Sequence, residues 1–205
     1  MCFSATASFT AAAVLAVLGA ALLFRIRDRR FLPLALIPIF FALQQAAEGF
    51  LWLDFSENAF EKDLFLFFAF VVWPLWIPYS FWSAETKLGC RQRLAVCFGI
   101  GLVVSCLLAF SIPYTTATAG HYSIHYSYPS YFDLHPTLFT FYAAATVLPF
   151  FLSSLRGTAL LGILFALTAL LIGWIDRIFF ISLWCFVSAL VSLGLFLILK
   201  PKFGR

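Results

Sequence analysis

Glu48 is the residue whose chemistry most needs explaining. It stands inside the apolar run FALQQAAEGF, and an acid within a bilayer costs roughly 2.5–3.5 kcal/mol on the insertion scale even where it is tolerated. Gln44 and Gln45 precede it by four and three positions, one helical turn away on the same face. Two roles fit such a stripe. One is interhelical hydrogen-bond glue, worth about 0.6–2 kcal/mol per contact. The other is a site for a ligand, a proton or a metal, the default reading of an intramembrane acid.

The histidines make the second candidate. His121, His125 and His135 all fall in one stretch, 113–135. His121 and His125 have the i, i+4 spacing that chelates a metal on a helix. The segment HYSIHYSY, however, alternates, with His121, Ser123, His125 and Ser127 on one side and Tyr122, Ile124, Tyr126 and Tyr128 on the other. A period of two predicts a strand, along which four residues span about 13 Å, too far for two ligands at roughly 2 Å each from one metal. One histidine reaching Glu48, or a hairpin bringing His121 or His125 near His135, keeps a zinc or copper site open. A polar strand face on an extracellular cap and a pH-sensitive or catalytic histidine are the other readings.

Five cysteines contain no C-x-x-C, which removes thioredoxin and zinc-ribbon readings. Cys185 lies in a small-residue stripe with Ser188, Ala189 and Ser192, the pattern of close helix packing in membranes. Cys2 would carry a free amine beside its thiol if Met1 were removed, which makes it a candidate nucleophile. A thiol tucked under the outer cap is the alternative. Trp73-Pro74 and Trp76-Ile77-Pro78 open the backbone of one helix, because each proline removes a hydrogen bond.

The elements that must position these residues follow from composition. With 63% hydrophobic and 11% charged residues, the chain lacks the polar surface a soluble domain needs, roughly 25% charged. It is expected to be an all-α integral membrane protein of one domain. Seven runs approach the roughly 20 residues that cross a bilayer: 4–24, 31–53, 64–82, 94–112, 136–153, 158–175 and 178–199. With the N-terminus outside and the C-terminus cytoplasmic, 11 of the 13 basic residues lie inside, as the positive-inside rule requires. The formal charge of +4 is then topology, and no nucleic-acid surface is expected. No basic stretch precedes the first run, so it reads as a retained signal anchor. The long outer loop 113–135 is expected to cap the bundle with a short β-hairpin.

Several activities are excluded. The seventh run has no lysine before Lys200, so a retinal Schiff base lacks its amine. Haem between helices lacks an intramembrane histidine, and no phosphate loop, GxSxG or HExxH occurs.

The opening MCFSATASF, the segment FALQQAAEGFLWL and the late segment SLWCFVSALVS together resemble a family of uncharacterised bacterial multi-pass membrane proteins, from the first helix to the last. The resemblance implies a bacterial cytoplasmic (inner) membrane and places Cys2, Gln45, Glu48, Trp184 and Cys185 in family-typical segments. The outer loop departs from the family's shorter His-plus-Tyr segment. Alkaline ceramidase-type hydrolases share the helix count and orientation, but take their histidines partly from within helices, where this chain has none, so the analogy is one of fold only.

The resulting expectation is an outward-facing polar pocket around Glu48, with Gln44, Gln45, Trp184, Cys185 and Cys2, that binds or moves a small molecule, a lipid or a proton as a carrier or receptor would. The alternatives are a membrane-embedded metal-dependent enzyme using Glu48 with His121, His125 and His135, and a structural or assembly subunit. Oligomeric state is left open.

Overall fold

A computed structural model describes residues 4–54, 60–120, 124–127, 136–175 and 180–195. The described chain is mostly helical, with one small sheet. Its seven helices are α1 (Ala5–Arg25), α2 (Leu32–Leu51), α3 (Phe60–Ala84), α4 (Leu88–Ala109), α5 (Pro136–Leu152), α6 (Thr158–Ile175) and α7 (Phe180–Ser192). Four helical stretches are long and apolar enough to cross a bilayer: Ala5–Arg25, Arg29–Leu51, Phe60–Ala84 and Leu88–Tyr114. The strands β1 (Thr116–Ala119) and β2 (Ile124–Ser127) pair antiparallel, with Thr116 opposite Ser127 and Ala119 opposite Ile124.

Local chemistry sets the helix ends. The Ser4 hydroxyl accepts from the Ala7 N–H at 3.2 Å to cap α1, satisfying one of the donors a helix start leaves free. Asp28 turns the chain into α2 by accepting from the Arg30 N–H at 3.0 Å while pairing with the Arg30 guanidinium at 2.7 Å. Gly157, at φ 87°, supplies the left-handed residue in the turn before α6, a conformation that favours glycine.

Two helices are longer than their hydropathy suggests. α3 begins at Phe60 rather than near 64, so Lys62 is a helical residue and only 5% exposed. It is no solvated loop charge; its Nζ lies 3.3 Å from Asp63 Oδ1. α4 begins at Leu88 rather than 94, because Arg91, Gln92 and Arg93 are good helix formers that extend the helix beyond its apolar part.

Inside α3 the ladder shifts. Pro74 has no N–H, and the Trp73 N–H reaches back five residues to the Phe68 carbonyl, closing a π-helical turn over Phe68–Val72. The Ala69 carbonyl thereby loses its α-helical donor, and the Tyr142 hydroxyl of α5 donates to it at 2.6 Å. Ser105 of α4 donates to the Val71 carbonyl at 3.0 Å. Four residues on, Pro78 cannot donate to the Pro74 carbonyl. Gly101 of α4 lies directly against that carbonyl, where a Cβ would collide with it. At Ala69 a neighbouring helix thus resatisfies the freed carbonyl, one of the ways membrane helices tolerate proline.

Two apolar clusters form the interior. One joins Leu15, Leu22, Leu34, Phe41, Trp73, Phe81, Phe150, Phe165 and Trp184. The other joins Ala47, Leu51, Phe65, Leu66, Leu108 and Cys185 with Ile124 and Tyr126 of the hairpin. The hairpin therefore lies on the bundle end where α2 finishes and α3 starts. The opposite end gathers three turns: Ser83 donates to the Arg30 carbonyl at 3.1 Å, and Glu85 binds Ser154.

Candidate functional site

α2 is proline-containing yet continuous through Glu48, and it turns Gln44, Gln45 and Glu48 wholly inward; all three are 0% exposed. Each has a partner from this packing. Ser182 of α7 donates to Glu48 Oε1 at 2.6 Å, a short hydrogen bond of the kind a carboxylate accepts from a hydroxyl. Gln45 Nε2 lies 3.5 Å from Glu48 Oε2, at the outer limit of such a bond. The Trp73 indole donates to Gln44 Oε1 at 2.8 Å, and Gln44 Nε2 lies 3.5 Å from the Phe65 carbonyl. The Cys185 thiol, one turn from Ser182 on α7, sits beside both Gln44 and Glu48. A fully buried polar hub thus ties α2, α3 and α7 together, and the Gln44–Trp73 bond anchors it to the π-turn.

Trp184 and Cys185 line a cavity next to this hub, with Phe41, Trp73, Ile77, Tyr142, Thr146, Phe165 and Ser188. Its volume is about 20 Å³, room for about one water. Ser188 Oγ, buried in its wall, has no hydrogen-bond partner among the described residues. Tyr142 packs edge-on to Trp184 with ring centroids 6.0 Å apart, so its ring borders the cavity while its hydroxyl holds the π-turn.

The hairpin covers this end of the bundle. Ile124 and Tyr126 are buried, and the Tyr126 ring stacks on Phe65 at 5.0 Å with 4° between the planes. His125 and Ser127 lie on the other face of β2, with the Ser127 hydroxyl 3.4 Å from the His125 ring nitrogens. Over 124–127 the segment is the strand that the alternation predicts. His125 accordingly occupies the strand face opposite the one packed on Phe65. His121, His135 and Cys2 lie outside the described residues. Among the described residues no group of three or more His, Cys, Asp and Glu side chains could hold a metal ion.

The chain belongs to the family of unknown function DUF6629, which matches residues 1–203. No curated protein and no solved structure matches it.

Four contributors escape a reading of the sequence alone. Ser182 precedes Cys185 by three positions, and that spacing was the only signal for it. Trp73 is marked by the proline after it, but not as the donor to Gln44, and Tyr142 looks like one among many aromatics. Glu85 reads as a loop charge, yet it is 3% exposed and accepts from the Thr86 and Lys87 N–H groups at 2.9 Å each, the Ser154 N–H at 2.7 Å, the Ser154 hydroxyl at 2.8 Å and the Ser153 hydroxyl at 3.3 Å. Burial pushes the Glu85 carboxyl upward, but these hydrogen bonds outweigh it and hold the group below its usual range. It clips the end of α3 to the α5–α6 turn.

Proposed function

We propose that the chain is a seven-span protein of the bacterial inner membrane, with its N-terminus outside and its C-terminus cytoplasmic. Its working centre is the Glu48 hub, which binds and moves a proton or a very small ligand entering from the outer face. The orientation is supported by the bundle end that carries Arg25, Arg27, Arg29, Arg30, Lys87, Arg91, Arg93 and Arg156, because basic residues belong on the cytoplasmic side. The hairpin-covered end is then the outer one.

The observation that carries the functional reading is the 2.6 Å contact between Ser182 and Glu48 in a fully buried cluster. A carboxyl group that is fixed by a hydroxyl can be acceptor-only when ionised and a donor when protonated. The hydroxyl rotates to suit either state, so the hub tolerates a change of proton without repacking. The adjacent cavity has room for about one water, which favours a proton or a ligand of that size. Anything larger requires the hairpin and α7 to part.

The experiment is reconstitution of wild type and Glu48→Gln into vesicles bearing an imposed pH gradient. Wild type is expected to dissipate the gradient or drive uptake faster than the variant. Equal rates in both, with Glu48→Gln folded, would refute the role given to Glu48.

The alternative is a metal-dependent enzyme using Glu48 with His121, His125 and His135; among the described residues the Cys185 thiol lies beside Glu48, but no group of three could hold a metal ion. Stoichiometric zinc or copper in the purified protein, lost on Glu48→Gln, would establish a metal site, and turnover lost with the metal would establish the enzyme. The small-residue stripe of α7 gives little to an assembly role, since Ser188, Ala189 and Ser192 are buried within the bundle.

A further inference from the structure

Among the described residues, the basic end of the bundle carries an excess of positive charge. The last residue of α1, the three turns and the first turns of α4 contain eight basic residues and two acids, Asp28 and Glu85. Asp28 pairs with Arg30 through contacts of 2.7–3.2 Å. Glu85 is buried and directed at Ser153, Ser154 and the Thr86 and Lys87 amides. Arg27, Arg29, Lys87, Arg91, Arg93 and Arg156 are all exposed.

One corner of this end is more than a diffuse field. The start of α2 and the end of α3 are locked together there: the Trp76 indole donates to the Pro33 carbonyl at 2.9 Å and Ser83 to the Arg30 carbonyl at 3.1 Å. The Arg91 guanidinium of α4 lies 4.3 Å above the Trp82 ring. Stacking orients the planar guanidinium while leaving its edge N–H groups available for a bidentate anion. From Trp82 a half-buried aromatic strip runs into the apolar part of the bundle, Trp82 to Tyr79 at 6.2 Å, then Tyr79 to Trp76 at 5.5 Å and to Phe98 at 6.2 Å. Lys87, Arg91 and Arg93 also sit at the N-terminal end of α4, where the helix dipole disfavours cations, so an anion placed there relieves an unfavourable interaction.

We propose that the Trp82 corner is a binding site for one anionic phospholipid. Its headgroup phosphate pairs with Arg91 and the neighbouring basic residues, and an acyl chain lies along Tyr79, Trp76 and Phe98. Charge complementarity selects the anionic headgroup, since basic residues near the bilayer surface attract anionic lipid. The aromatic strip beside the guanidinium selects a lipid over a free anion. The site rests on the membrane-spanning reading and is independent of any activity at Glu48.

The test uses the purified full chain in detergent, with phosphatidylglycerol, phosphatidylcholine and inorganic phosphate as probes and bound lipid read by native mass spectrometry. Phosphatidylglycerol is expected to bind more tightly than phosphatidylcholine. Arg91→Gln should weaken it about fivefold, the equivalent of about 1 kcal/mol. Arg91→Lys, which keeps the charge but neither the stacking plane nor the bidentate edge, should fall between Arg91→Gln and wild type, and Arg156→Gln, in the α5–α6 turn, should stay within about twofold of wild type. A thermal melt confirms that each variant is folded; if Arg91→Gln is not, Arg91→Lys and Arg93→Gln are compared in its place. Equal binding of the two lipids overturns the proposal. So does an equal loss in Arg156→Gln and Arg91→Gln, the mark of a diffuse field, and so does displacement of the lipid by inorganic phosphate. Failure of the spanning reading would appear separately, as a chain that leaves the membrane without detergent.

Discussion

Removing the Glu85 carboxylate should loosen the end of the bundle remote from the hub. Glu85 accepts five hydrogen bonds, three of them from backbone N–H groups. Hydrogen bonds to charged groups contribute about 1.5–3 kcal/mol each when the partner is left buried and unsatisfied. Thr86, Lys87 and Ser154, which supply those three N–H groups and one of the two hydroxyls, are exposed, so water replaces most of what they lose. The net cost of Glu85→Ala is then about 2–3 kcal/mol, and of Glu85→Gln, which keeps one carbonyl acceptor, about 1–2 kcal/mol. For a chain of this size 1 kcal/mol shifts the melting midpoint by about 2–4 °C. Because hydrogen bonding holds this carboxyl below the ordinary value of 4.5, the sign of the pH dependence follows. Its charge-dependent contribution is complete above the unfolded pKa and is lost as pH falls through the lower folded pKa. Thermal melts of wild type and Glu85→Gln in detergent should therefore differ most at neutral pH and converge in acid. A gap that is absent at neutral pH, or that widens in acid, would refute the assignment of Glu85 as an ionised clip.

Gly101→Ala should destabilise the fold by about 1–3 kcal/mol through overpacking against the Pro74 carbonyl, whereas Gly99→Ala, with open space at its Cβ, should stabilise α4 or leave it unchanged; a melt of each decides. Ser182→Ala should cost about 1–3 kcal/mol by removing the donor to Glu48, and a double-mutant cycle with Glu48→Gln should show coupling well outside error. Tyr142→Phe should lose about 0.5–1.5 kcal/mol through the freed Ala69 carbonyl, with hydrogen exchange accelerating around the π-turn and not in α1. A reporter fused after Arg205 should read cytoplasmic, and a membrane-impermeant thiol reagent on intact cells should leave Cys90 unlabelled; a periplasmic C-terminus would reverse the topology.

Composition alone determines that this chain packs apolar helices, because 63% hydrophobic residues cannot be hidden in a water-soluble globule of this size. The Gln44–Gln45–Glu48 stripe is legible for a related reason. In an apolar helix a polar residue is rare and costly, and three within one turn declare an inward face. The alternation of Ile124, His125, Tyr126 and Ser127 is legible because a strand has a period of two and one side of it meets the bundle. Tertiary structure alone decides who answers Glu48. Ser182 is 134 residues away, and only its place one turn before Cys185 marks it, since a serine in a membrane helix satisfies itself equally well on its own backbone. The same holds for the Tyr142 hydroxyl, whose acceptor exists only because Pro74 forces a π-turn in another helix. Where nearly every face of a helix is apolar, hydropathy carries little information about which face turns inward. Packing geometry makes that choice, and with it the partners of every buried polar group.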